Sequence, residues 1–281
     1  MAELDGMRVA TLEARMTGAL ASMISKRGGK PVCAPALREA PLDCADDVRY
    51  LLDKLAGNSI DVVVFQTGVG ARALFAEADR QSRLDELLDA LRGITTVCRG
   101  PKPTAALRQA KVQVSAGIAA PYTTKELLDA LIDLPVRGKR LMALQYGERN
   151  AALMSALRDE CETADELCLY EWQLPDDTTP MASLIDELLD GTMDVIAFTS
   201  QVQIRHLYQV AAANDVPQSE LSNALNERTI VCAVGPTCAA ALADVGVATD
   251  TQPEYPKMGH MVNALAEYVS ERSAANAVTP L

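Results

Sequence analysis

Two spacings of apolar residues alternate along the chain. Short continuous apolar runs, typical of buried strands, are separated by longer segments in which apolar residues recur every three or four positions, as in amphipathic helices. This alternation predicts an α/β fold with mostly parallel sheets and helices on both faces. The predicted strands are 8–12, 30–37, 61–66, 94–97, 112–115, 139–144, 163–173, 194–200 and 229–234. The predicted helices are 16–27, 43–57, 67–78, 83–91, 104–110, 124–132, 148–160, 181–189, 201–213, 238–245 and 258–269.

The pattern is clearest over residues 229–247. A buried apolar strand there is followed by a Gly-Pro turn, a helix, and Gly246 as a helix stop. Gly235 permits an unusual backbone angle, and we predict that Thr237 caps a helix beginning near Cys238. Backbone N–H groups at such a helix start, beyond the carboxyl end of a strand, suit an anion.

The same unit occurs once before in the chain. A strand at 94–97 precedes Gly100-Pro101-Lys102-Pro103 and a helix from Thr104, so that Gly100 lies 135 residues before Gly235. Upstream, the strand at 61–67 matches the one at 194–200 with an offset of 133. Units repeated in the same order at nearly one offset predict two similar domains, because this period is longer than a solenoid repeat.

Prolines and polar turns mark where one domain gives way to the other. Pro31, Pro35 and Pro41 interrupt the segment after the second strand, and an acidic turn follows Pro175. Neither half of the chain alone has enough strands for a domain. We therefore predict a discontinuous first domain (1–38 with 176–270), an inserted second domain (46–165), linkers at 39–45 and 166–175, and a tail at 271–281.

Composition narrows the classes of function. A net charge of −12 makes a broad nucleic-acid-binding surface unexpected, and no apolar run approaches the ~20 residues that span a membrane. We expect a cytoplasmic protein without nucleic-acid or membrane partners. The seven cysteines form no C-x-x-C pair and are expected to be reduced and mostly buried. His206 and His260 are too few for a histidine-based metal site, and a capped or surface position is expected for His206.

Three candidate motifs each have a simpler explanation. The segment Gly68-Val69-Gly70-Ala71-Arg72-Ala73 fits the dinucleotide pattern G-x-G-x-x-A, but it lies outside the first βαβ unit, so a tight turn or a carboxylate site is favoured. Cys238 at a helix start could be an activated nucleophile, although packing beside Cys232 is favoured. Tyr170 offers a hydroxyl in the second linker, and packing against Trp172 is the alternative.

Together these segments resemble uroporphyrinogen-III synthases over residues 8–269. The resemblance is carried by Phe198-Thr199-Ser200, by Val234 to Leu242, by Gly246, and by Leu169-Tyr170-Glu171. It implies an α/β fold of two similar flavodoxin-like domains joined by a two-stranded linker, with the substrate in the cleft between them. It also implies an enzyme that needs no cofactor. We expect no bound metal and a monomer.

The implied activity is a step of tetrapyrrole and heme biosynthesis. Hydroxymethylbilane, a linear tetrapyrrole, is cyclised to uroporphyrinogen III with inversion of ring D and loss of water. By resemblance, Tyr170 is the catalytic residue. Cys238 and Pro103 stand where the family usually has threonine, so a non-catalytic tetrapyrrole- or anion-binding regulatory homologue remains the alternative. The predicted substrate-binding residues are Arg15, Thr67, Gly68, Val69, Lys102, Pro103, Thr104, Ser200, Gln201, Thr237 and Cys238.

Overall fold

A computed structural model describes residues 4–14, 16–120, 122–134, 136–145, 147 and 149–278. The chain divides into two compact units, unit 1 (Met1–Arg38 with Gln173–Leu281) and unit 2 (Glu39–Trp172). In the described part of the chain, no helix is both long and apolar enough to cross a membrane.

Strands and helices alternate through most of the chain, as the apolar pattern predicts. The strands are β1 (Arg8–Thr11), β2 (Lys30–Cys33), β3 (Arg38–Pro41), β4 (Val62–Phe65), β5 (Thr95–Cys98), β6 (Ala116–Gly117), β7 (Arg140–Leu144), β8 (Thr163–Leu167), β9 (Tyr170–Gln173), β10 (Val195–Phe198) and β11 (Ile230–Ala233). The helices are α1 (Thr17–Ser25), α2 (Ala45–Ala56), α3 (Gly68–Arg80), α4 (Leu84–Arg92), α5 (Pro101–Gln109), α6 (Thr124–Ile132), α7 (Ala151–Glu160), α8 (Thr179–Leu189), α9 (Gln201–Ala213), α10 (Gln218–Arg228), α11 (Pro236–Asp244) and α12 (Met258–Val278).

Unit 1 is built on a parallel sheet with the order β2-β1-β10-β11. Successive residues of β10 join apolar clusters on opposite faces, with Val195 and Ala197 on one side and Ile196 and Phe198 on the other. A bridge between Cys232 and Thr251 marks a fifth position beside β11. Counted along the chain, this is the flavodoxin-like order 2-1-3-4-5.

Unit 2 contains the parallel sheet β8-β7-β4-β5-β6. Its pairing of Cys98 with Gly117 corresponds to the bridge at Cys232 in unit 1, because both partners are displaced by 134 residues. The spatial order of the strands is therefore the same in both units, although the chain enters it at a different strand. The predicted fold class of two similar flavodoxin-like units is confirmed.

The segments predicted as linkers contain a third, smaller sheet. Strands β3 and β9 pair with each other, and the N–H of Leu42 donates to the carbonyl of Leu169 at 3.3 Å. The division between the units falls inside both strands, after Arg38 and after Trp172. The predicted two-stranded linker is thus present.

Two helices begin earlier than the sequence predicts. Helix α5 starts at Pro101 rather than Thr104, and α11 starts at Pro236 rather than near Cys238. Proline suits the first helical position because its fixed φ is helical and its missing N–H would have no intrahelical acceptor there. Thr237 is consequently inside the first turn and does not cap α11, so that prediction is wrong.

Three further features depart from prediction. Helix α10 is absent from the sequence-based prediction, and the strand expected at 112–115 lies instead at Ala116–Gly117. His206, expected at a cap or the surface, is buried, and its Nδ1 lies 2.7 Å from the carbonyl oxygen of Ala36. Burial lowers the pKa of this imidazole because it disfavours the charged form.

Candidate functional site

The carboxyl ends of β4 and β7 lie side by side at the centre of unit 2. The chain leaves these strands toward opposite edges of the sheet, and ligands of open α/β sheets bind outside the carboxyl ends at such a point. Gln66 directly follows β4 and Gln145 directly follows β7. The amide Nε2 of Gln66 donates a 2.8 Å hydrogen bond to Oε1 of Gln145, and both side chains are buried. A satisfied pair of amides therefore joins the two strand ends.

Charged side chains extend this pair in both directions. Arg99, which follows β5, donates to Oε1 of Gln66 at 3.2 Å. On the other side, Gln145 Nε2 donates to the Glu166 carboxylate at 2.8 Å, and Arg149 donates to the same carboxylate at 2.7 Å. The hydrogen bond to Glu166 raises the pKa of the Arg149 guanidinium. A continuous line of polar side chains thus follows the carboxyl edge of the sheet.

Sequence reasoning did not single out Gln66, Arg99 or Gln145. Each of them directly follows an apolar strand. A polar residue at that position is the sequence feature that could have indicated a site. Their partners are far away in the chain: Gln66 and Gln145 are 79 residues apart. The pairing becomes evident only when the strand order is known.

Tyr170 lies beside the start of α3. Its side chain is buried, and its hydroxyl oxygen is 3.0 Å from Oγ1 of Thr67, the N-cap of that helix. Thr67 Oγ1 also accepts a 3.0 Å hydrogen bond from the N–H of Gly70. The ring of Tyr170 meets Trp172 edge to face, with 5.6 Å between centroids. Two predicted site residues, Thr67 and Tyr170, are therefore in direct contact.

The first turn of α3 packs tightly on α5. A Cβ atom on Gly68 would lie 2.8 Å from the carbonyl oxygen of Lys102 and 3.3 Å from a guanidinium nitrogen of Arg72. The close backbone approach explains the glycine at position 68 without a dinucleotide site. The side chains of Lys102 and Arg72 are exposed, while Val69 is half-buried. Two cationic groups are thus available near this helix start.

The start of α5 offers fewer donors than its sequence position suggests. Pro101 and Pro103 have no N–H, and the Pro103 side chain is buried. Thr104 is turned back on the helix: its N–H and its hydroxyl both donate to the carbonyl of Gly100, at 3.4 and 2.9 Å. Of the residues predicted here to bind substrate, Lys102 is the exposed one.

Unit 1 has a corresponding arrangement at the carboxyl ends of β1 and β10. The Thr199 hydroxyl donates to Glu13 at 2.7 Å, and Gln203 Nε2 donates to Thr199 at 2.9 Å. Gln203 Oε1 accepts from the N–H groups of Thr199 and Ser200, and Ser200 Oγ accepts from the N–H of Val202. Ser200 therefore caps α9, and the half-buried Gln201 is the first residue of that helix.

Thr237 and Cys238 lie in the first turn of α11, a helix that packs on α9. The Thr237 side chain is exposed. The Cys238 side chain belongs to the apolar core, and burial raises the pKa of its thiol to about 12. This environment disfavours a thiolate at Cys238. The predicted burial is confirmed and Ala239 packs on the same cluster, whereas Cys232 belongs to the cluster on the other face of the sheet. Thr237 is the accessible hydroxyl of the turn, and Arg15 lies outside the described residues.

All seven cysteines are free thiols, and four of them are buried, as predicted. Among the residues that the structure describes, no group of three or more His, Cys, Asp or Glu side chains is arranged to hold a metal ion.

Comparison with known proteins places the chain in a family. A family model described as uroporphyrinogen-III synthase HemD matches residues 18–263. A mutant uroporphyrinogen III synthase from Thermus thermophilus is 26% identical and superposes with a TM-score of 0.73, over 95% of this chain and all of that one. The uncharacterized protein YjjA of Bacillus subtilis (strain 168) is 31% identical, covering 96% of this chain and 98% of the relative. A Methanothermobacter thermautotrophicus protein with the provisional name uroporphyrinogen-III synthase is 29% identical, covering 89% and 93%. The protein therefore belongs to the uroporphyrinogen-III synthase family.

Proposed function

We propose that the protein cyclises hydroxymethylbilane to uroporphyrinogen III and releases one water. Membership of the family supports this activity, and so does the contact of Tyr170 with Thr67 at the carboxyl edge of a sheet. The contact is the observation that carries the proposal, because it holds a phenol where ligands of such folds bind.

Tyr170 is the proposed proton donor or hydrogen-bond donor to the departing hydroxyl. An ordinary phenol has a pKa of about 10 and is protonated at neutral pH. As the carbon–oxygen bond of the terminal hydroxymethyl group breaks, the hydroxyl takes up a proton and leaves as water. The substituted carbon of ring D then bonds to the electrophilic methylene carbon left behind, which gives a spiro intermediate. The original bridge bond at that ring carbon breaks and re-forms at the other side of the ring, so that ring D is inverted. The proton lost when the macrocycle closes balances the proton taken up by the leaving group.

Substrate binding has to rely on local groups. The substrate is a flexible polyacid, while the protein carries a net charge of −12, so long-range attraction does not favour association. Lys102 and Arg72 supply cationic side chains in unit 2, and Thr237 supplies an exposed hydroxyl in unit 1. The first turns of α3 and α9 add N–H groups of Gly68, Val69 and Gln201 as proposed donors to carboxylates.

We propose that the main role of these contacts is to hold the linear substrate in a bent conformation. The reaction joins two ends of one flexible molecule, and positioning of reacting groups can lower a barrier by several kcal/mol. Enzyme-free closure gives the type I isomer, in which ring D is not inverted. The isomer formed is therefore a direct readout of positioning.

The deciding experiment supplies hydroxymethylbilane to the purified full-length chain and separates the porphyrin isomers after oxidation. Predominantly type III product, formed faster than in buffer alone, supports the enzyme. Type I product at the spontaneous rate contradicts it.

A non-catalytic tetrapyrrole- or anion-binding protein is the second candidate. It is favoured by Pro103 and Cys238, which replace two threonines usual in the family and whose side chains are buried. In that case a linear tetrapyrrole would bind and quench the emission of Trp172, the only tryptophan in the chain, without accelerated closure.

A further inference from the structure

Thr67 makes two hydrogen bonds through one oxygen. The N–H of Gly70 can only donate, so Thr67 Oγ1 accepts the 3.0 Å bond from it. The hydroxyl of Thr67 keeps one hydrogen to donate, and the Tyr170 hydroxyl oxygen lies 3.0 Å away. When Thr67 donates, the Tyr170 oxygen is the acceptor of this bond, and the hydrogen of the phenol is not used in it.

The ring of Tyr170 has little freedom apart from this bond. A Cβ atom on Gly147 would lie 2.9 Å from the tyrosine ring and 2.6 Å from Trp172, so glycine is needed there on steric grounds. Gly147 also has a φ of +82°, which favours glycine. On the opposite side, a Cβ on Gly70 would be 3.8 Å from the ring. The N–H of Trp172 donates to the carbonyl of Gly147 at 3.2 Å, which holds the backbone of Trp172 beside Gly147.

We infer that Thr67 is a positioning residue for Tyr170, donating a hydrogen bond that orients the phenol for proton transfer. This inference rests on the proposed function and changes the role that the sequence suggested for Thr67, which was direct contact with substrate. Thr67 Oγ1 accepts from Gly70, and the single hydrogen that it donates to Tyr170 is then not available for a substrate carboxylate.

The two roles of Thr67 predict different kinetics. A positioning residue affects the chemical step, whereas a binding residue affects the Michaelis constant when its contact is the same in ground and transition states. Thr67→Val keeps the shape and removes the hydroxyl, and Thr67→Ser keeps the hydroxyl. We expect Thr67→Val to lower kcat about tenfold, with KM changed less than about twofold, because general acid–base groups contribute factors of about 100 or more and misorientation forfeits part of that. Thr67→Ser should restore most of kcat.

Loss of a helix cap needs a separate control. Thr123 is the N-cap of α6 in the same unit, and its side chain accepts from the N–H of Lys125. Thr123→Val therefore removes a cap of the same kind without touching Tyr170. A fall in kcat shared by both valine variants would overturn the positioning role, and so would a rise in KM alone in Thr67→Val.

Trp172 gives a readout that does not depend on turnover. As the only tryptophan, and with its ring edge to face with Tyr170, it reports on the tyrosine through its emission and near-ultraviolet circular dichroism. We expect both signals to change in Thr67→Val and to remain at wild-type values in Thr67→Ser and Thr123→Val. Thr67→Ala provides a second hydroxyl-free variant should Thr67→Val fail to fold.

The readouts separate this inference from the proposed function. A wild-type protein that produces no type III isomer contradicts the proposed function, and the Trp172 signals then test the orientation of Tyr170 by themselves. An active wild type whose Thr67→Val variant keeps both kcat and the Trp172 signals overturns the positioning role alone.

Discussion

Gln66 and Gln145 share a buried 2.8 Å hydrogen bond that joins the carboxyl ends of the two central strands of unit 2. The corresponding position of unit 1 is bridged by Thr199 and Glu13 at 2.7 Å. A neutral amide pair and a hydroxyl–carboxylate pair thus occupy equivalent points of two similar sheets. The two units have the same strand order but different polar side chains at the ends of their central strands.

Breaking the amide pair should destabilise unit 2. Gln66→Leu leaves a buried amide without its principal donor and removes an acceptor from Arg99. We expect the free energy of unfolding to fall by about 1–3 kcal/mol, the usual cost of a buried group left unpaired. Urea unfolding measures it, with Gln109→Leu on the exposed face of α5 as the control. Equal stability of the two variants would show that the amide bond contributes nothing.

The hydroxyl of Tyr170 should matter for turnover rather than for folding. Tyr170→Phe keeps the ring against Trp172 and removes only the oxygen that contacts Thr67. We expect turnover to fall by at least about tenfold, because a proton donor in the transition state is lost. The assay is the rate of type III porphyrin formation, and Tyr255→Phe, at an exposed side chain, is the matched control. Unchanged turnover in Tyr170→Phe would remove this residue from the mechanism.

The cysteines should differ sharply in reactivity. Burial raises the pKa of the Cys98 thiol to about 11 and those of Cys232 and Cys238 to about 12, whereas Cys33 is exposed. Because the thiolate is the reactive form, iodoacetamide at pH 8 should label Cys33 first and leave the three buried thiols unmodified until the protein unfolds. Peptide mass spectrometry identifies the labelled sites. Early labelling of Cys238 would contradict its assignment to the core.

Asp61 should make stability depend on pH in the acid range. Three hydrogen bonds from Arg140 engage this carboxylate, and together they lower its pKa from 3.8 to about 2, those from the guanidinium more than the one from the backbone N–H. A carboxyl whose pKa is lower in the folded protein stabilises the fold above the unfolded value, and that contribution disappears as the pH falls toward the folded value. We expect Asp61→Asn to cost about 1 kcal/mol above pH 5, a figure reduced for solvent screening, and almost nothing at pH 2.

The control for Asp61 is Asp46, whose side chain is 92% exposed and forms an ion pair with Arg49 one helical turn away. Asp46→Asn should leave stability within about 0.5 kcal/mol at every pH, as surface substitutions usually do. Denaturant unfolding between pH 2 and pH 6 provides the comparison. A penalty for Asp61→Asn that stays constant down to pH 2 would contradict the assigned pKa.

Gly68 should tolerate no side chain. Its Cβ would lie 2.8 Å from a backbone carbonyl oxygen of Lys102, which cannot move without shifting α5. We expect Gly68→Ala to lower the free energy of unfolding by about 1–3 kcal/mol, as overpacking does. Gly18→Ala in α1 meets nothing within 4 Å and should be neutral or stabilising by up to about 1 kcal/mol. Thermal denaturation of the two variants tests both expectations, and a stable Gly68→Ala would refute the steric argument.

Much of the fold follows from the sequence because buried parallel strands and amphipathic helices have distinct apolar spacings. The spacing predicts helix α9 with its observed bounds. It places the starts of α5 and α11 too late, because Pro101 and Pro236 read as loop residues although they are first helical residues. Helix α10 escapes prediction because its sequence is polar on average, and its buried face becomes recognisable only when α8 packs against it.

The sequence indicates individual residues of the site but not the contacts between them. The sequence singles out both Tyr170 and Thr67, but 103 residues separate them. Their hydrogen bond depends on where β9 lies in space relative to the end of β4. The partners of Gln66 cannot be assigned from sequence for the same reason. A glutamine after a strand fits a surface position equally well until the neighbouring strand is known.

Unit 1 consists of two stretches of the chain that are separated by unit 2, so its strands are synthesised at different times on the ribosome. Unit 2 is one continuous stretch, and all its strands have been synthesised before β10 emerges. The N–H of Arg8 at the start of β1 donates to the carboxylate of Asp194, which is synthesised 186 residues later. Domains fold as units during translation, so the second unit along the chain matures first. Until then we expect β1 to lack its partner β10, and an unpaired strand edge is the kind of surface on which other chains pair and aggregate.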